Sequence, residues 1–127
     1  MEPTILYTKA FLTANKDHKI KSISHITGGG LIDNPPRAFN KDLTLKFNMK
    51  NYKLPLLFQW LKNRANMSLF ELTRTFNCGI GFLIFVDKKN AHTIINNLND
   101  IGYNAFLIGS MVDNKYNKSV IFDGWDF

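Results

Sequence analysis

The most distinctive stretch of this chain is S-H-I-T-G-G-G-L-I-D-N-P-P-R, from Ser24 to Arg37. A run suited to a β-strand ends at Thr27, three glycines follow, and a helix can begin at Leu31. Residues without a Cβ adopt positive φ angles and let backbone N–H groups approach a ligand closely. Ahead of a helix N-terminus, such N–H groups favour an anion. The stretch therefore predicts either a phosphate-binding loop or a flexible turn, and the glycines alone do not separate the two.

The segment before the glycines adds a candidate histidine. Ile20 to Thr27 predicts a strand that places Ile23 and His25 on one face. His25 is therefore close to the glycines. It is either a histidine that is hydrogen-bonded under a sheet or a donor or acid that faces a phosphate site.

The segment after the glycines adds two polar candidates. Asn34 precedes Pro35-Pro36, and a residue before proline is displaced from the α region, so we expect the helix to break there. Arg37 can make a bidentate contact to a carboxylate or a phosphate. It can equally fasten the loop to its own domain.

Composition limits the class of protein. The 127 residues are enough for one domain, residues 1–127, with a hydrophobic core. The formal charge of +6 favours anionic partners, but the basic residues are scattered, which favours a solvated surface over a nucleic-acid interface. One cysteine, Cys78, excludes an internal disulfide and a cysteine-rich metal site. With no membrane-spanning run and no signal peptide, we expect a soluble cytoplasmic protein without membrane or nucleic-acid partners.

Apolar periodicity predicts the elements of the fold. Helices are expected at residues 3–12, 54–62, 68–76 and 91–101, and strands at residues 20–27, 43–49, 80–86, 104–112 and 119–123. Long connections between the strands permit a mixed sheet with helices packed on it. The residues alone therefore predict an α+β or α/β fold in a single domain.

Local patterns predict which of these elements are buried. The apolar stripe of residues 54–62 predicts a core helix, and the alternation of residues 43–49 predicts a strand that is covered on one side only. The apolar run of residues 80–86 predicts a strand that is buried on both faces. Ser68 with Glu71 has the spacing of a helix capping box.

A second glycine-flanked turn, N-C-G-I-G, spans Asn77 to Gly81. Asn77 either contacts a ligand or caps the preceding helix. Cys78 has no adjacent histidine and no metal-ligand spacing, which favours a packed thiol over a nucleophile.

Three motifs together resemble a known family, the phosphoribosylformylglycinamidine cyclo-ligases, also called aminoimidazole ribonucleotide synthetases. They are H-I-T-G-G-G-L-I-D-N-P-P-R (His25 to Arg37), L-F-Q-W-L (Leu57 to Leu61) and R-T-F-N-C-G-I-G (Arg74 to Gly81). They resemble the C-terminal domain of that family, and the resemblance runs from about Glu2 to Asp123. Pro35 departs from the family, which usually shows an apolar residue there, but it leaves Asn34, Pro36 and Arg37 in place.

The resemblance implies both a fold and an activity. The implied fold is α+β with α/β/α layers, in which helices flank a mixed sheet. The implied enzyme belongs to de novo purine biosynthesis and uses ATP and Mg²⁺ to convert formylglycinamidine ribonucleotide to aminoimidazole ribonucleotide. Family members carry an N-terminal ATP-binding domain and form homodimers through it. That domain is absent from this chain, so we expect the chain alone to be inactive and the missing domain to be its partner and to bind Mg²⁺.

The resemblance also assigns candidate site residues. His25 is a tentative catalytic residue, and no metal ligand is assigned. The residues expected to bind the phosphate of the ribonucleotide or of ATP are Thr27, Gly28, Gly29, Gly30, Asn34, Arg37, Asn77 and Gly79. Two alternatives stay open: the equivalent domain of a sister enzyme, such as formylglycinamidine ribonucleotide synthase, selenophosphate synthetase or thiamine monophosphate kinase, and a non-catalytic phosphate-binding module.

Overall fold

A computed structural model describes residues 5–17 and 19–125, which form an α+β fold. The helices are α1 (Thr8–Ala14), α2 (Gly30–Asp33), a 3₁₀ helix (Pro35–Ala38), α3 (Leu56–Arg64), α4 (Leu69–Thr75) and α5 (Lys88–Asp100). The strands are β1 (Ile20–His25), β2 (Leu43–Asn48), β3 (Phe82–Val86), β4 (Gly109–Asp113) and β5 (Val120–Asp123). No helix in the described residues is long and apolar enough to cross a membrane.

The chain divides into two compact units, and the divisions fall within β1 and β3, which pair in a two-stranded sheet. Unit 1 comprises residues 1–23 and 84–107, and unit 2 comprises residues 24–83 and 108–127. The expected strand at residues 80–86 forms only as β3, in which Leu83 alone is buried. The prediction that this strand is buried on both faces is wrong, because β3 has one strand partner in a two-stranded sheet.

Unit 1 is built on two helices that meet through small and branched side chains. Ala10 and Ala14 of α1 and Ile94 and Leu98 of α5 form its buried cluster. The helix that apolar periodicity predicts over residues 91–101 is confirmed as α5, whose buried residues are Ile94 and Leu98. The helix expected from residue 3 begins only at Thr8 in the described residues, and residues 1–4 lie outside them.

Unit 2 contains a three-stranded sheet in the order β4-β2-β5. The central strand β2 runs antiparallel to β4 and parallel to β5. Leu45 and Phe47 are buried on one face, as the alternation predicts. Thr44 on the other face is also fully buried, and its hydroxyl is satisfied by donating to the Lys118 carbonyl at 2.6 Å. The expectation that this face is open therefore fails at Thr44.

The last long strand is shorter than its sequence pattern suggests. Residues 104–112 were expected to form one strand, but only Gly109–Asp113 pairs with β2. A Cβ on Gly109 would meet the backbone of Lys46 and Phe47 in β2. The strand therefore starts at a residue whose missing side chain permits a close approach of the two backbones.

Two consecutive helices complete unit 2. α4 begins with the predicted capping box: the Glu71 N–H donates to Ser68 Oγ at 3.2 Å, and the Ser68 N–H donates to Glu71 Oε2 at 2.8 Å. Leu72 and Thr73 of α4 are fully buried. In contrast, no residue of α3 is buried, so the prediction that α3 is a core helix is wrong. In its apolar stripe Leu56, Leu57 and Trp60 are exposed, whereas Leu54, Phe58 and Leu61 are half-buried.

Candidate functional site

The glycine loop, Thr27 to Asn34, closes on itself. The Thr27 N–H donates to Asn34 Oδ1 at 2.7 Å, and the buried Asn34 side chain therefore joins the two ends of the loop. Inside this ring the Gly30 N–H donates to the Thr27 carbonyl and the Asp33 N–H to the Gly29 carbonyl, each at 3.0 Å. The loop is a hydrogen-bonded structure, and this geometry disfavours a flexible turn.

Asn34 keeps helical backbone angles, with φ −79° and ψ −49°. The prediction that Pro35 displaces it from the α region is wrong. The helix changes type there instead, because α2 ends at Asp33 and the 3₁₀ helix begins at Pro35. Pro35 is fully buried, and the side chain of Asn34 is held by Thr27, so tertiary contacts outweigh the local steric preference.

The three glycines of the loop have different surroundings. A Cβ on Gly28 would meet no atom within 4 Å, whereas a Cβ on Gly29 would lie 2.6 Å from Asn34 Nδ2. Gly30 has φ +57°, and a Cβ there would meet the carbonyl oxygen of Thr73 and the backbone of Arg74. Gly30 therefore packs the loop onto α4, Gly29 packs against Asn34, and only Gly28 borders open space.

The same geometry decides which backbone donors are available to a ligand. The Gly30 N–H is used inside the loop. The N–H groups of Gly28 and Gly29 donate to no residue in the described part of the chain. Two consecutive free N–H groups can bind an oxyanion. α2 is a single short helical turn and adds little dipole, so these two donors are the main feature of the loop for an anion.

His25 and Arg37 lie at the borders of the loop. His25 lies at the end of β1 on the strand face opposite to Ser24, as the strand pattern predicts. Its side chain is exposed, and its ring makes an edge contact with the ring of Phe82, with 6.2 Å between the centroids. The Arg37 side chain is exposed on the 3₁₀ helix, and the Arg37 backbone N–H donates to the Asn34 carbonyl at 3.2 Å. Both side chains are accessible to a ligand, and their roles stay predictions.

The second turn is held by its own side chain. Asn77 Oδ1 accepts the Gly79 N–H at 2.9 Å, so Asn77 caps this turn, and its predicted ligand role stays untested. Cys78 has φ +53° and Gly79 has φ +90°. A Cβ on Gly79 would lie 2.7 Å from Pro55 Cγ and 2.8 Å from the Tyr52 hydroxyl. Gly79 therefore allows a close approach to the chain before α3.

Tyr52 is a residue of this region that the sequence analysis missed. Its hydroxyl donates to the Cys78 carbonyl at 2.8 Å, across 26 residues of sequence. No local pattern can indicate such a contact, because the partner is fixed by the tertiary fold. Burial, and secondarily the nearby Cys78, raises the pKa of Tyr52 to about 12, so the phenol stays a donor at neutral pH.

The Cys78 thiol is packed, as predicted. The residue is fully buried, and its Sγ lies 3.7 Å from the Phe76 carbonyl oxygen and 3.9 Å from that of Leu72. Burial raises the pKa of the thiol to about 12. Because the thiolate is the nucleophilic form, full burial and the raised pKa favour a packed thiol over a nucleophile.

The fold of unit 2 brings the two glycine-containing motifs to one region. The Ile26 N–H donates to the Gly81 carbonyl at 2.9 Å, which joins the end of β1 to the segment before β3. Gly30 packs on the backbone of α4, and Arg74 Nε lies 3.6 Å from Asp33 Oδ2. The glycine loop thus contacts the same helix that leads into the second turn.

The described residues hold no ready-made cluster of metal ligands. They contain no group of three or more His, Cys, Asp or Glu side chains placed to hold a metal ion. Asp33, the one carboxylate of the glycine loop, is paired with Arg74. We therefore assign no Mg²⁺ ligand to these residues and derive no step through the metal.

Comparison with known proteins gives concordant results. The family model described as "AIR synthase related protein, C-terminal domain" matches residues 1–121. The chain is 38% identical over 115 residues to a phosphoribosylformylglycinamidine cyclo-ligase of Thermoanaerobacter sp. (strain X514), which covers 91% of this chain and 34% of that protein. It is 36% identical over 116 residues to the protein of the same name from Neisseria gonorrhoeae (strain ATCC 700825 / FA 1090), with the same two coverages. The chain thus spans about a third of the length of these curated relatives.

Proposed function

The chain belongs to the family of the AIR synthase related protein C-terminal domain, and we propose that it acts as that domain of an ATP-dependent cyclo-ligase. The proposed enzyme converts formylglycinamidine ribonucleotide to aminoimidazole ribonucleotide in purine biosynthesis. The observation that carries the proposal is the match to relatives named cyclo-ligases over 91% of the chain. ATP, Mg²⁺ and dimer formation are assigned to the part of such an enzyme that lies outside the matched third.

The glycine loop supports a role in holding a phosphate group. The Gly28 and Gly29 N–H groups are adjacent and donate to no described residue, and Gly28 borders open space. We assign to them the phosphate of the ribonucleotide substrate, with the exposed His25 and Arg37 beside it. The Thr27–Asn34 hydrogen bond holds these donors in place before the substrate arrives.

The proposed reaction requires positioning more than a strong nucleophile. The formyl-amide oxygen of the substrate takes the γ-phosphoryl group of ATP, and ADP leaves. The amidine nitrogen of the same substrate then attacks the formyl carbon, the C–O bond breaks and phosphate leaves. Loss of the proton on the attacking nitrogen and a shift of one methylene proton to the exocyclic nitrogen complete the aminoimidazole ring. Because the nucleophile belongs to the substrate, this chain contributes by fixing the phosphate end while the reacting end folds on itself. The protonated, buried Cys78 is consistent with a site that needs no protein nucleophile.

Turnover tests the activity. ADP release is measured with formylglycinamidine ribonucleotide, ATP and Mg²⁺, first for this chain alone and then after addition of the remaining part of a cyclo-ligase. We expect no release from the chain alone and release from the mixture. Turnover by the chain alone would contradict the assignment of ATP to the other part. Turnover with selenide or thiamine monophosphate instead would assign a sister enzyme, and phosphate binding without any turnover would favour a binding module.

Ligand affinity tests the loop directly. Gly28→Val places a branched side chain beside the two free N–H groups, and we expect it to weaken binding of the ribonucleotide at least about tenfold. The melting temperature should stay the same, because a Cβ there meets nothing within 4 Å. His92→Ala, at an exposed position of α5, is the control. Unchanged affinity in Gly28→Val would show that the phosphate binds elsewhere.

A further inference from the structure

The outward side of α3 is an exposed apolar surface. Leu56, Leu57 and Trp60 are 80%, 60% and 59% exposed, and we call these three residues the α3 apolar face. The opposite side of the helix is anchored, since Phe58 packs against Phe76 with ring centroids 6.1 Å apart. The helix is therefore held with large apolar side chains turned to solvent, and neighbouring exposed apolar side chains of this kind are typical of an interaction surface.

Positive charge surrounds this face. The sequence contains no Asp or Glu between Leu43 and Phe70. Arg64 follows Trp60 by one helical turn, on the same side of α3, and Lys53 precedes Leu56 by three residues. Neither Lys53 nor Arg64 has a carboxylate partner among the described residues. The face thus combines an apolar centre with a basic border and is complementary to a surface that carries apolar side chains beside carboxylates.

The composition of the face argues against two other occupants. A second copy of this chain would bring Arg64 and Lys53 against identical charges, which opposes self-association. Anionic membranes are usually bound by clusters of about four to eight Lys or Arg residues, and this helix and its flanks carry fewer: Lys53, Lys62 and Arg64. The centre of the face, Trp60 with Arg64 one turn away, has the composition of a protein–protein contact instead.

The length of the relatives indicates which polypeptide could provide the complementary surface. The matched segment is 34% of their length, so about two thirds of a cyclo-ligase lies outside it. On the basis of the proposed function, we propose that the α3 apolar face, with Arg64 and Lys53, docks onto this remaining part of the enzyme, at a place where apolar side chains lie beside carboxylates. The exposed stripe is then the core of an interface between the two parts.

Binding between separately produced parts tests the proposal. The probe is the Thermoanaerobacter cyclo-ligase without its matched segment, titrated with this chain by calorimetry. Trp60→Glu and Leu57→Glu should each weaken the affinity at least about 30-fold, as expected for residues at the centre of an interface. Arg64→Glu should weaken it about tenfold and reduce its salt dependence. Leu107→Glu, at an equally exposed apolar position of unit 1 (72% exposed), is the matched control and should bind like the unchanged chain.

Each outcome decides the proposal. Binding that Trp60→Glu and Leu57→Glu leave unchanged would overturn it, as would no binding by this chain when the relative's own segment binds under the same conditions. Sedimentation of this chain alone as a dimer that Trp60→Glu dissociates would place a second copy on the face and overturn it as well. Binding to vesicles of anionic lipid that is lost in Trp60→Glu would place a membrane there, with the same consequence.

A chimera keeps the test decisive if the truncated relative does not fold. In it, this chain replaces the matched segment of the Thermoanaerobacter protein, and hydrogen exchange of residues 56–64 is compared with that of the chain alone. We expect at least tenfold slower exchange in the chimera, and equal exchange would overturn the docking. Docking and function fail separately: binding without turnover contradicts only the proposed function, whereas turnover that Trp60→Glu does not reduce contradicts only the docking.

Discussion

The helices α3 and α4 follow one another in unit 2 and carry similar apolar spacing, yet they bury different amounts of it. α4 has Leu72 and Thr73 fully buried and receives Gly30 of the glycine loop against its backbone. α3 has no buried residue and exposes Leu56 and Trp60. The difference shows that an apolar stripe predicts a helix face suited to packing against other apolar side chains. It does not predict whether those side chains belong to the same polypeptide.

The largest expected effect lies where the glycine loop meets α4. Gly30→Val would place a side chain against the Thr73 carbonyl and force a branched residue to φ +57°, so we expect a loss of about 4 kcal/mol in the free energy of unfolding. Urea denaturation measures it, and Gly28→Val, which meets open space, should stay within about 1 kcal/mol of the unchanged chain. Equal losses in both variants would show that the loop is not packed on α4 as described.

A truncation in each helix tests the comparison itself. Leu72→Ala in α4 removes a fully buried side chain and should lower the free energy of unfolding by about 3 kcal/mol. Leu57→Ala in α3 removes a side chain that is 60% exposed and should change the free energy of unfolding by no more than about 0.5 kcal/mol. Denaturation of both variants under the same conditions gives the two values. A loss in Leu57→Ala as large as in Leu72→Ala would mean that α3 is covered within this chain.

The capping box of α4 gives a smaller effect. Ser68→Ala removes the acceptor of the Glu71 N–H and should lower the free energy of unfolding by about 1 kcal/mol. The control is Asp87→Ala at the start of α5, where the side chain makes no capping hydrogen bond and only an exposed ion pair with Lys21. Its removal should cost less than that of Ser68. Thermal melting of the two variants compares them, and a greater loss in Asp87→Ala would contradict the assignment of the cap.

The smallest expected effect is the pH dependence of the same cap. The hydrogen bond from the Ser68 backbone, followed by that from its hydroxyl, lowers the pKa of Glu71 below its usual value of 4.5. A lowered pKa in the folded state stabilises the fold above pH 4.5, and this stabilisation is lost as the pH falls through the lowered pKa. Melting temperatures between pH 6 and pH 3 should therefore fall more steeply for the unchanged chain than for Glu71→Gln. Parallel curves would show that the Glu71 charge does not contribute.

Local signals predicted the features that depend on near neighbours. The Ser68–Glu71 capping box, the helix over residues 91–101, the position of His25 on the strand face opposite to Ser24 and the packed Cys78 all follow from residues within a few positions of each other. The α+β class also follows, because the order of helices and strands is a property of the sequence alone. The motifs that resemble the cyclo-ligases gave the family, which the comparisons then showed.

Features set by distant contacts were not predicted. Thr44 is fully buried and bonds to Lys118, 74 residues away, and Tyr52 reaches Cys78 across 26 residues. Asn34 keeps helical angles with its side chain held by Thr27, seven residues earlier, against the local preference of a residue before proline. The division into two units falls within β1 and β3 and leaves no linker in the sequence to signal it. The three glycines look equivalent in the sequence, and only their surroundings separate Gly28 from Gly30.

The position of β2 has a consequence for the order in which the protein folds during synthesis. Both of its partners come much later in the chain, and the contact from Thr44 to Lys118 spans 74 residues. The centre of the sheet therefore leaves the ribosome before either neighbour exists, with its apolar residues unprotected. Such long-range pairing is slow and leaves a strand open to association with other chains. The complete three-stranded sheet of unit 2 can form only after β5 has emerged.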